Sequence, residues 1–203
     1  KENADLPLLV FLQGGPGGKG PRPGNGPVWL AEAVERFRVL LLDQRGTGRS
    51  SAVQGRRMAA MDAETGARYL ACFRADSIVR DCEHLRRTLF DGRPWFTLGQ
   101  SYGGFLTLTY LSLAPEALAG CYVTGGLAGI SATAEEIYRR TYPRVAHKNA
   151  LHVARYPQDR AILDRIADRL AQGDVRLPDG DLLSVRRFQH LGMELGMAGG
   201  SET

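Results

Sequence analysis

The sequence predicts an α/β fold with a mostly parallel sheet, and three observations support this prediction. Short continuous apolar runs at 6–12, 39–42 and 120–124 are typical of strands that are buried on both faces. Segments with helical spacing alternate with these runs, which is the order of parallel strand–helix–strand units. A Gly-x-Ser-x-Gly sequence at 99–103 separates a further apolar strand from a helix.

The elements of the first part of the chain are predicted from the spacing of apolar residues. They are strand 6–12, helix 28–37, strand 39–42, helix 75–90, strand 95–98, helix 105–114 and strand 120–124. In helix 75–90 the apolar positions recur with a helical period, so Arg, Asp and Glu should form its outer face; these positions are Ile78, Cys82, Leu85 and Leu89. Residues 51–73 lack clear periodicity, which predicts a loop with short helical turns.

The second part of the chain contains helical patterns without any strand-like run. Helices are predicted at 134–142, 158–172 and 184–191. A helical insertion after a series of strands is typical of a lid over the end of a sheet. We therefore divide the chain into residues 1–130, which contain the sheet, and residues 131–203, which form a helical cap.

Residues 95–105 have the sequence of a strand that turns sharply into a helix at Ser101. This turn, a nucleophile elbow, lifts the serine hydroxyl above the sheet at a helix N-terminus, where negative charge is favoured. Gly99 and Gly103 leave room for close packing of the strand and the helix. A glycine-rich turn with an idle serine is the alternative. Because the strand precedes and the helix follows, we favour Ser101 as a catalytic nucleophile.

An acyl-transferring serine also needs N–H donors for the oxyanion that forms during the reaction. The N–H of Tyr102, directly after the serine, is one candidate. Gly14 or Gly15, in the loop after the first strand, is the other. A phosphate-binding loop is disfavoured, since the segment lacks the Lys-Ser/Thr ending of a P-loop and the spacing of a dinucleotide fingerprint. This chemistry requires no metal and no cofactor.

Three motifs occur in a fixed order along the chain. They are Gln-Gly-Gly-Pro-Gly-Gly at 13–18, Asp-Gln-Arg-Gly-Thr-Gly-Arg-Ser at 43–50 and Gly-Gln-Ser-Tyr-Gly-Gly at 99–104. Together they resemble the prolyl aminopeptidases (proline iminopeptidases), which are α/β-hydrolase serine peptidases that remove an N-terminal proline. The resemblance implies an α/β-hydrolase fold with a helical cap. It also implies that Asp43 and Arg45 hold loops together and do not take part in the chemistry.

The chain departs from this family at one position, because Gln13 stands where the family usually has His. The oxyanion donor of that loop is a backbone group, so the departure bears on substrate preference more than on the reaction itself. The resemblance further implies that glutamates of the cap bind the free α-amino group of the substrate. The candidates are Glu135, Glu136 and Glu194. We prefer Glu194, because its apolar, glycine-flanked surroundings make a solvated carboxylate less expected; the alternative is an ordinary solvated helix residue.

The acid and base of the catalytic triad follow the nucleophile in this fold, on loops after two further strands. The histidines after the nucleophile all lie in stretches of helical character, and none follows a buried strand: His147, His152 and His190. We interpret His147 and His190 as surface or cap-packing residues. The sequence is therefore expected to stop within the cap, with the acid and base beyond Thr203, and residues 1–203 alone are expected to be inactive.

Composition excludes several other classes of protein. The net charge is +4, but the arginine pairs are dispersed among acidic residues, so a nucleic-acid partner is not predicted. No apolar run approaches the roughly 20 residues that span a bilayer. The three cysteines are interpreted as buried or half-buried thiols of a reducing, cytoplasmic compartment, with a Cys72–Cys82 disulfide as the alternative.

The function predicted from these observations is a serine exopeptidase. It releases an N-terminal proline, or a similar small residue, through an acyl-enzyme on Ser101. The expected partners are peptides with a free N-terminus and the remainder of the same protein. An esterase or other small-acyl hydrolase of the same fold is one alternative, and a non-catalytic α/β-hydrolase-like binding protein is the other.

Overall fold

A computed structural model of the chain describes residues 5–24, 27–127, 129, 131–196 and 200. The chain divides into two compact units, Lys1–Ala128 and Gly129–Thr203, which are considered separately. The strands of the first unit are β1 (Leu8–Leu12), β2 (Arg38–Leu41), β3 (Trp95–Gln100) and β4 (Leu118–Thr124). Its helices are α1 (Val28–Val34), α2 (Gly55–Ala59), α3 (Ala63–Ala71), α4 (Ala75–Leu89) and α5 (Tyr102–Leu113), followed by a 3-10 turn at Pro115–Ala117.

The four strands form one parallel sheet in the order β2-β1-β3-β4, which confirms the predicted α/β class. Strand β1 lies between β2 and β3, and all five of its residues are buried. A strand in this position is covered on both faces, which explains its uninterrupted apolar sequence. The central pair is joined with Leu9 opposite Phe96 and Leu12 opposite Gly99. The carboxyl ends of β1 and β3 therefore lie side by side.

The largest part of the core is packed between the sheet and helices α4 and α5. Side chains of β1 belong to one buried cluster with Ile78, Val79 and Cys82 of α4 and Leu106 of α5. Trp95 begins β3 and is fully buried; its ring meets the ring of Tyr110 edge-on, with centroids 6.4 Å apart. The helical spacing of Ile78 and Cys82 thus correctly identified the buried face of α4.

The predicted outer face of α4 is wrong at two positions, because Glu83 and Arg86 are buried. The carboxylate of Glu83 accepts hydrogen bonds from Arg86 at 2.7 and 2.8 Å and from the hydroxyl of Tyr110 at 2.6 Å. Arg87 adds an ion pair at 3.0 Å. These hydrogen bonds, led by that of Arg86, lower the pKa of Glu83 to about 2. Buried charges are tolerated here because each one is paired.

Two further differences concern elements that the spacing of apolar residues did not resolve. The segment 51–73 contains helices α2 and α3, where the sequence predicted only short turns in a loop. Helix α3 is nine residues long and is capped by Asp62, whose carboxylate accepts the N–H of Thr65 at 2.9 Å. Leu89, predicted on the apolar face of α4, is 65% exposed because it lies in the last turn of that helix.

The second unit is helical, as predicted. Its helices are α6 (Ala134–Arg155), α7 (Asp159–Ala171), α8 (Val185–Gln189) and α9 (Gly192–Gly196). Helix α6 continues 13 residues past the predicted end at Tyr142, with Pro143 inside it. Proline removes one backbone hydrogen bond and usually ends a helix, but the residues after Pro143 are compatible with a helix and extend it. Among the described residues of this unit, extended pairing is limited to one bridge between Arg176 and Leu182.

All three cysteines are free thiols, so the alternative Cys72–Cys82 disulfide is not formed. Cys82 is fully buried, and burial raises its pKa to about 12. Cys121 is half-buried. Cys72 is exposed, contrary to the prediction, because it follows the last turn of α3 at the surface. No helix within the described ranges is long and apolar enough to cross a bilayer.

The Tyr110–Glu83 hydrogen bond should contribute measurably to stability. We expect Tyr110→Phe to lower the free energy of unfolding at pH 7 by about 1.5–3 kcal/mol, because a hydrogen bond to a charged group is lost. Urea denaturation of the full-length protein measures this change. Tyr122→Phe is the matched control, since Tyr122 is 48% exposed and should change stability by less than about 0.5 kcal/mol. Equal effects of the two substitutions would show that the Tyr110–Glu83 hydrogen bond does not stabilise the protein.

The same carboxylate should make stability depend on pH in acid. The pKa of Glu83 is lower in the folded protein, at about 2, than the ordinary value of 4.5 that applies to the unfolded chain. Its contribution is therefore complete above pH 4.5 and is lost as the pH falls toward 2. Glu83→Gln should flatten this part of the curve of unfolding free energy against pH. A curve with an unchanged slope between pH 4.5 and 2 would show that other groups dominate.

Candidate active site

Ser101 lies at the turn between β3 and α5, with its backbone in the left-handed half of the φ range. Its φ is +54° and its ψ is −118°, and among the described non-glycine residues only Asp91 shares a positive φ. Such a conformation is strained for a residue with a Cβ and persists only where its surroundings enforce it. The N–H of Ser101 donates to the carbonyl of Thr124 at the end of β4, at 2.9 Å. The residue itself is exposed.

Glycines around the turn allow backbone segments to approach more closely than any side chain would permit. A Cβ added to Gly103 would overlap the carbonyl oxygen of Leu12, at the end of β1. A Cβ on Gly99 would overlap the carbonyl of Gly103, and one on Gly126 would overlap that of Ser101. The predicted roles of Gly99 and Gly103 in close strand–helix packing are confirmed by these contacts. Gly126 adds the loop after β4 to the same packing.

The loop after β1 lies directly beside Ser101. A Cβ on Gly14 would lie 3.0 Å from the Cβ of Ser101 and 3.6 Å from its Oγ. This position follows from the sheet register, since the ends of β1 and β3 are neighbours. The structure thus brings together the predicted nucleophile and the predicted glycine loop. Tyr102, the first residue of α5, directly follows Ser101.

The N–H groups near Ser101 differ in their availability. The N–H of Gly14 donates to Oε1 of Gln13 at 2.8 Å. The N–H of Gly15 has no acceptor among the described residues. As the first residue of a helix, Tyr102 has no intrahelical acceptor for its N–H. Of the two glycines that the sequence left open, Gly15 therefore has the free donor.

Asp43, which follows β2, ties the loop after β1 to the loop after β2. Its carboxylate accepts two hydrogen bonds from Arg22, at 2.6 and 3.0 Å. It also accepts the N–H groups of Gly20, at 3.0 Å, and of Arg49, at 2.7 Å. The Arg22 guanidinium and these N–H groups lower the pKa of Asp43 to about 2. Each of the two carboxylate oxygens of Asp43 thus accepts two hydrogen bonds, and these bonds hold the two loops together.

Arg45 has a similar connecting role. Its guanidinium forms two hydrogen bonds with the carboxylate of Asp81 on α4, at 2.5 and 2.6 Å, and a third with the carbonyl of Cys72 at 2.7 Å. The hydrogen bonds to Asp81 raise the pKa of Arg45 further. The expectation that Asp43 and Arg45 hold loops together is confirmed by their contacts.

The remaining candidate residues lie in the helical unit. His147 and His190 are exposed, as predicted. His152 is half-buried near the end of α6, and its Nε2 lies 3.1 Å from Oδ2 of Asp159 at the start of α7. Glu194 lies on α9 and is exposed, so its apolar sequence neighbours do not cover it. The expectation of a covered Glu194 is therefore wrong, because α9 is a short surface helix.

Sequence reasoning missed three residues that shape the site. Thr124 holds the backbone of Ser101, and Gly126 allows the loop after β4 to pack on the elbow. Gln44 is 2% exposed, and its Nε2 donates to the carbonyl of Gln13 at 3.1 Å. The available signal was the position of all three at the end of a predicted strand or within two residues after it, at the edge of the sheet that carries the elbow.

A strained serine at a strand–helix turn, set against a glycine loop from the neighbouring parallel strand, defines a class of serine hydrolases. Residues 7–191 match the sequence profile of the alpha/beta hydrolase fold, and the chain belongs to this family.

Proline iminopeptidases are among the curated proteins to which the chain is similar, as the three motifs predicted. One from Aeromonas sobria is 50% identical over 98% of this chain and 47% of its own length. Another, from Aspergillus aculeatus, is 35% identical over 98% of this chain and 46% of its own length. One from Saccharolobus solfataricus is 28% identical over 91% of the chain and 55% of its own length. The chain thus spans about half the length of the curated relatives that it matches.

The close backbone approach at Gly103 should make this position intolerant of any side chain. We expect Gly103→Ala to destabilise the protein by roughly 1–3 kcal/mol or more, because the added Cβ would displace the carbonyl of Leu12. Thermal unfolding of the full-length protein measures the loss.

Gly55→Ala is the matched control for this substitution. Gly55 begins helix α2, and a Cβ at this position would meet nothing within 4 Å. The change should be neutral or stabilising by up to about 1 kcal/mol, since Ala favours a helix more than Gly does. Equal stability of Gly103→Ala and Gly55→Ala would contradict the packing described for the elbow.

Proposed function

We propose that the full-length protein is a serine exopeptidase that releases an N-terminal proline, or a similar small residue, from peptides. The observation that carries this proposal is the strained Ser101 beside the glycine loop, in a chain 50% identical to a proline iminopeptidase. The substrates are then peptides with a free N-terminus. The exposed thiol of Cys72 is compatible with a reducing compartment, and we place the protein in the cytoplasm.

The proposed reaction begins with attack of the Ser101 hydroxyl on the carbonyl of the N-terminal residue. The N–H groups of Gly15 and Tyr102 bind the oxyanion of the tetrahedral intermediate. Gly14 packs against the nucleophile, and its own N–H is already bonded to Gln13. The proton of Ser101 passes through a general base to the leaving amine, and water then hydrolyses the acyl-enzyme. No step needs a metal or cofactor.

We propose that the general base and the acid that orients it lie in the remainder of the protein. Two observations support this. The relatives are about twice as long as the part that this chain matches. The exposed His147 and His190 lie on helices of the second unit, whereas triad histidines of this fold occupy loops after strands. We further propose that the second unit is part of a cap that selects the substrate.

Glu194 is the proposed ligand of the substrate's α-ammonium group. The two other candidates are already engaged: Glu135 pairs with Arg139 and Glu136 with Arg140, each at 2.6 Å on α6. The carboxylate of Glu194 makes no hydrogen bond or ion pair with a described residue. It is therefore available to an incoming cation without the loss of an existing ion pair.

The nucleophile is tested by Ser101→Ala in the full-length protein. We expect kcat to fall by at least about a thousandfold on a proline amide, because the attacking group is lost. A fluorophosphonate should label wild-type protein at Ser101 and should leave the variant unlabelled. A variant that keeps most of its activity would refute the assignment. If the wild type hydrolyses esters but no peptides, and Ser101→Ala loses the ester hydrolysis, the protein is an esterase instead.

The amine-binding role is tested by Glu194→Gln, with Glu135→Gln as the matched control. Glu194→Gln should weaken catalysis on substrates with a free N-terminus by about 1.5–3 kcal/mol, the range for a hydrogen bond to a charged group. Hydrolysis of a nitrophenyl ester without an amine should be unchanged. Glu135→Gln should affect neither substrate. Equal losses on both substrates would indicate a folding effect, and no loss on either would make Glu194 a plain surface residue.

A further inference from the structure

The side chain of Gln13 closes the loop that follows β1. Its Oε1 accepts the N–H of Gly14 at 2.8 Å, and its Nε2 donates to the carbonyl of Lys19 at 3.1 Å. One carboxamide therefore connects the beginning of the loop to its far side. Only a group that accepts at one atom and donates at the other can make both bonds, and a neutral amide does so.

The loop is built to hold this side chain. A Cβ on Gly18 would lie 3.0 Å from Cγ of Gln13 and 2.8 Å from the carbonyl oxygen of Gly14. Any larger residue at position 18 would therefore press against the Gln13 side chain and the turn it closes. The glycine of the motif at this point is explained by the space that Gln13 needs.

The backbone of Gln13 is held from the loop after the neighbouring strand β2. Buried Gln44 donates its Nε2 to the carbonyl of Gln13 at 3.1 Å. The carbonyl of Gln44 in turn accepts the N–H of Thr47 at 3.0 Å and its hydroxyl at 2.8 Å. Gln13 is thus fixed on both sides, by its side chain within its own loop and by its carbonyl from the loop after β2.

We propose that Gln13 is a positioning residue for the reaction at Ser101, an inference that rests on the proposed function. The peptide of Gly14 lies against the nucleophile, and Gln13 holds that peptide by its N–H. The adjoining N–H of Gly15 is thereby kept in a fixed place as the oxyanion donor. Gln13 touches no reacting atom in this scheme, and it acts through the orientation of the loop.

The neutrality of the carboxamide gives a test with a pH readout. Gln13→Glu has nearly the same shape, and its protonated form can accept from Gly14 and donate to Lys19. Its ionised form cannot donate, so the bond to the Lys19 carbonyl is lost. At pH 8, kcat/KM of the variant should be roughly tenfold lower than that of the wild type. This loss is smaller than that caused by removing an oxyanion donor, because the donor is only displaced. The ratio of the two values should recover as the pH is lowered through about 4.3, the ordinary pKa of a Glu carboxyl, where the protonated form becomes the main one.

Two further variants separate this effect from general damage. Gln54→Glu places the same charge at an exposed position, and its ratio to the wild type should stay flat with pH. Gln13→Met fills the same space without either hydrogen bond. It should lower kcat by roughly tenfold at every pH with little change in KM, since an oxyanion contact acts in the transition state. If Gln13→Glu does not fold, the effects of Gln13→Met on kcat and on KM decide whether Gln13 is a positioning residue.

Ser101→Ala is measured alongside, so that the two proposals can fail separately. Loss of activity in Ser101→Ala together with a flat ratio for Gln13→Glu would overturn the role of Gln13 and leave the nucleophile intact. A loss in Gln13→Met confined to KM would also overturn it. Activity retained by Ser101→Ala would overturn the proposed function and, with it, the positioning role of Gln13.

Discussion

The close approach of glycine backbones around Ser101 is the constraint on which the site depends. Gly103 brings the start of α5 onto the carbonyl of Leu12, and Gly126 brings the loop after β4 onto the carbonyl of Ser101. The serine cannot relax to a negative φ without moving one of these segments. The strain at Ser101 is therefore maintained by packing with neighbours from three strands. The exposed position of Ser101 is a consequence of that packing.

Buried polar groups supply the second level of organisation. Near the site, Asp43 and Gln44 connect the loops after β1 and β2. Farther away, Glu83 joins α4 to α5 through Tyr110. In each case a group that is costly to bury is paired, and the pairing fixes one arrangement of two segments. The apolar core sets which elements pack together, and these polar contacts set the geometry of the loops that carry the chemistry.

The fold and the strand–helix turn at Ser101 could be predicted because they depend on local patterns. A buried apolar run such as Leu8–Leu12 and a glycine-flanked serine each carry their signal within a few residues. The sequence could not show that Glu83 and Arg86 are buried, because their partner Tyr110 comes from another helix. The bond between Gln13 and Gly14 and the exposure of Glu194 likewise depend on how loops and short helices pack, which no periodicity records.

The parallel strand order also has a consequence for biosynthesis. The centre of the sheet forms only when β1 pairs with β3, with Leu9 opposite Phe96. Because the two strands are parallel and far apart in the chain, no hairpin can bring them together early. At about 5–20 residues per second, the ribosome takes roughly 5–15 s to deliver β3 after β1. Throughout this interval the wholly apolar β1 of the nascent chain lacks its inner neighbour, and such non-local pairing is slow to form. Until β3 has been synthesised, this apolar segment stays exposed to water and to chaperones.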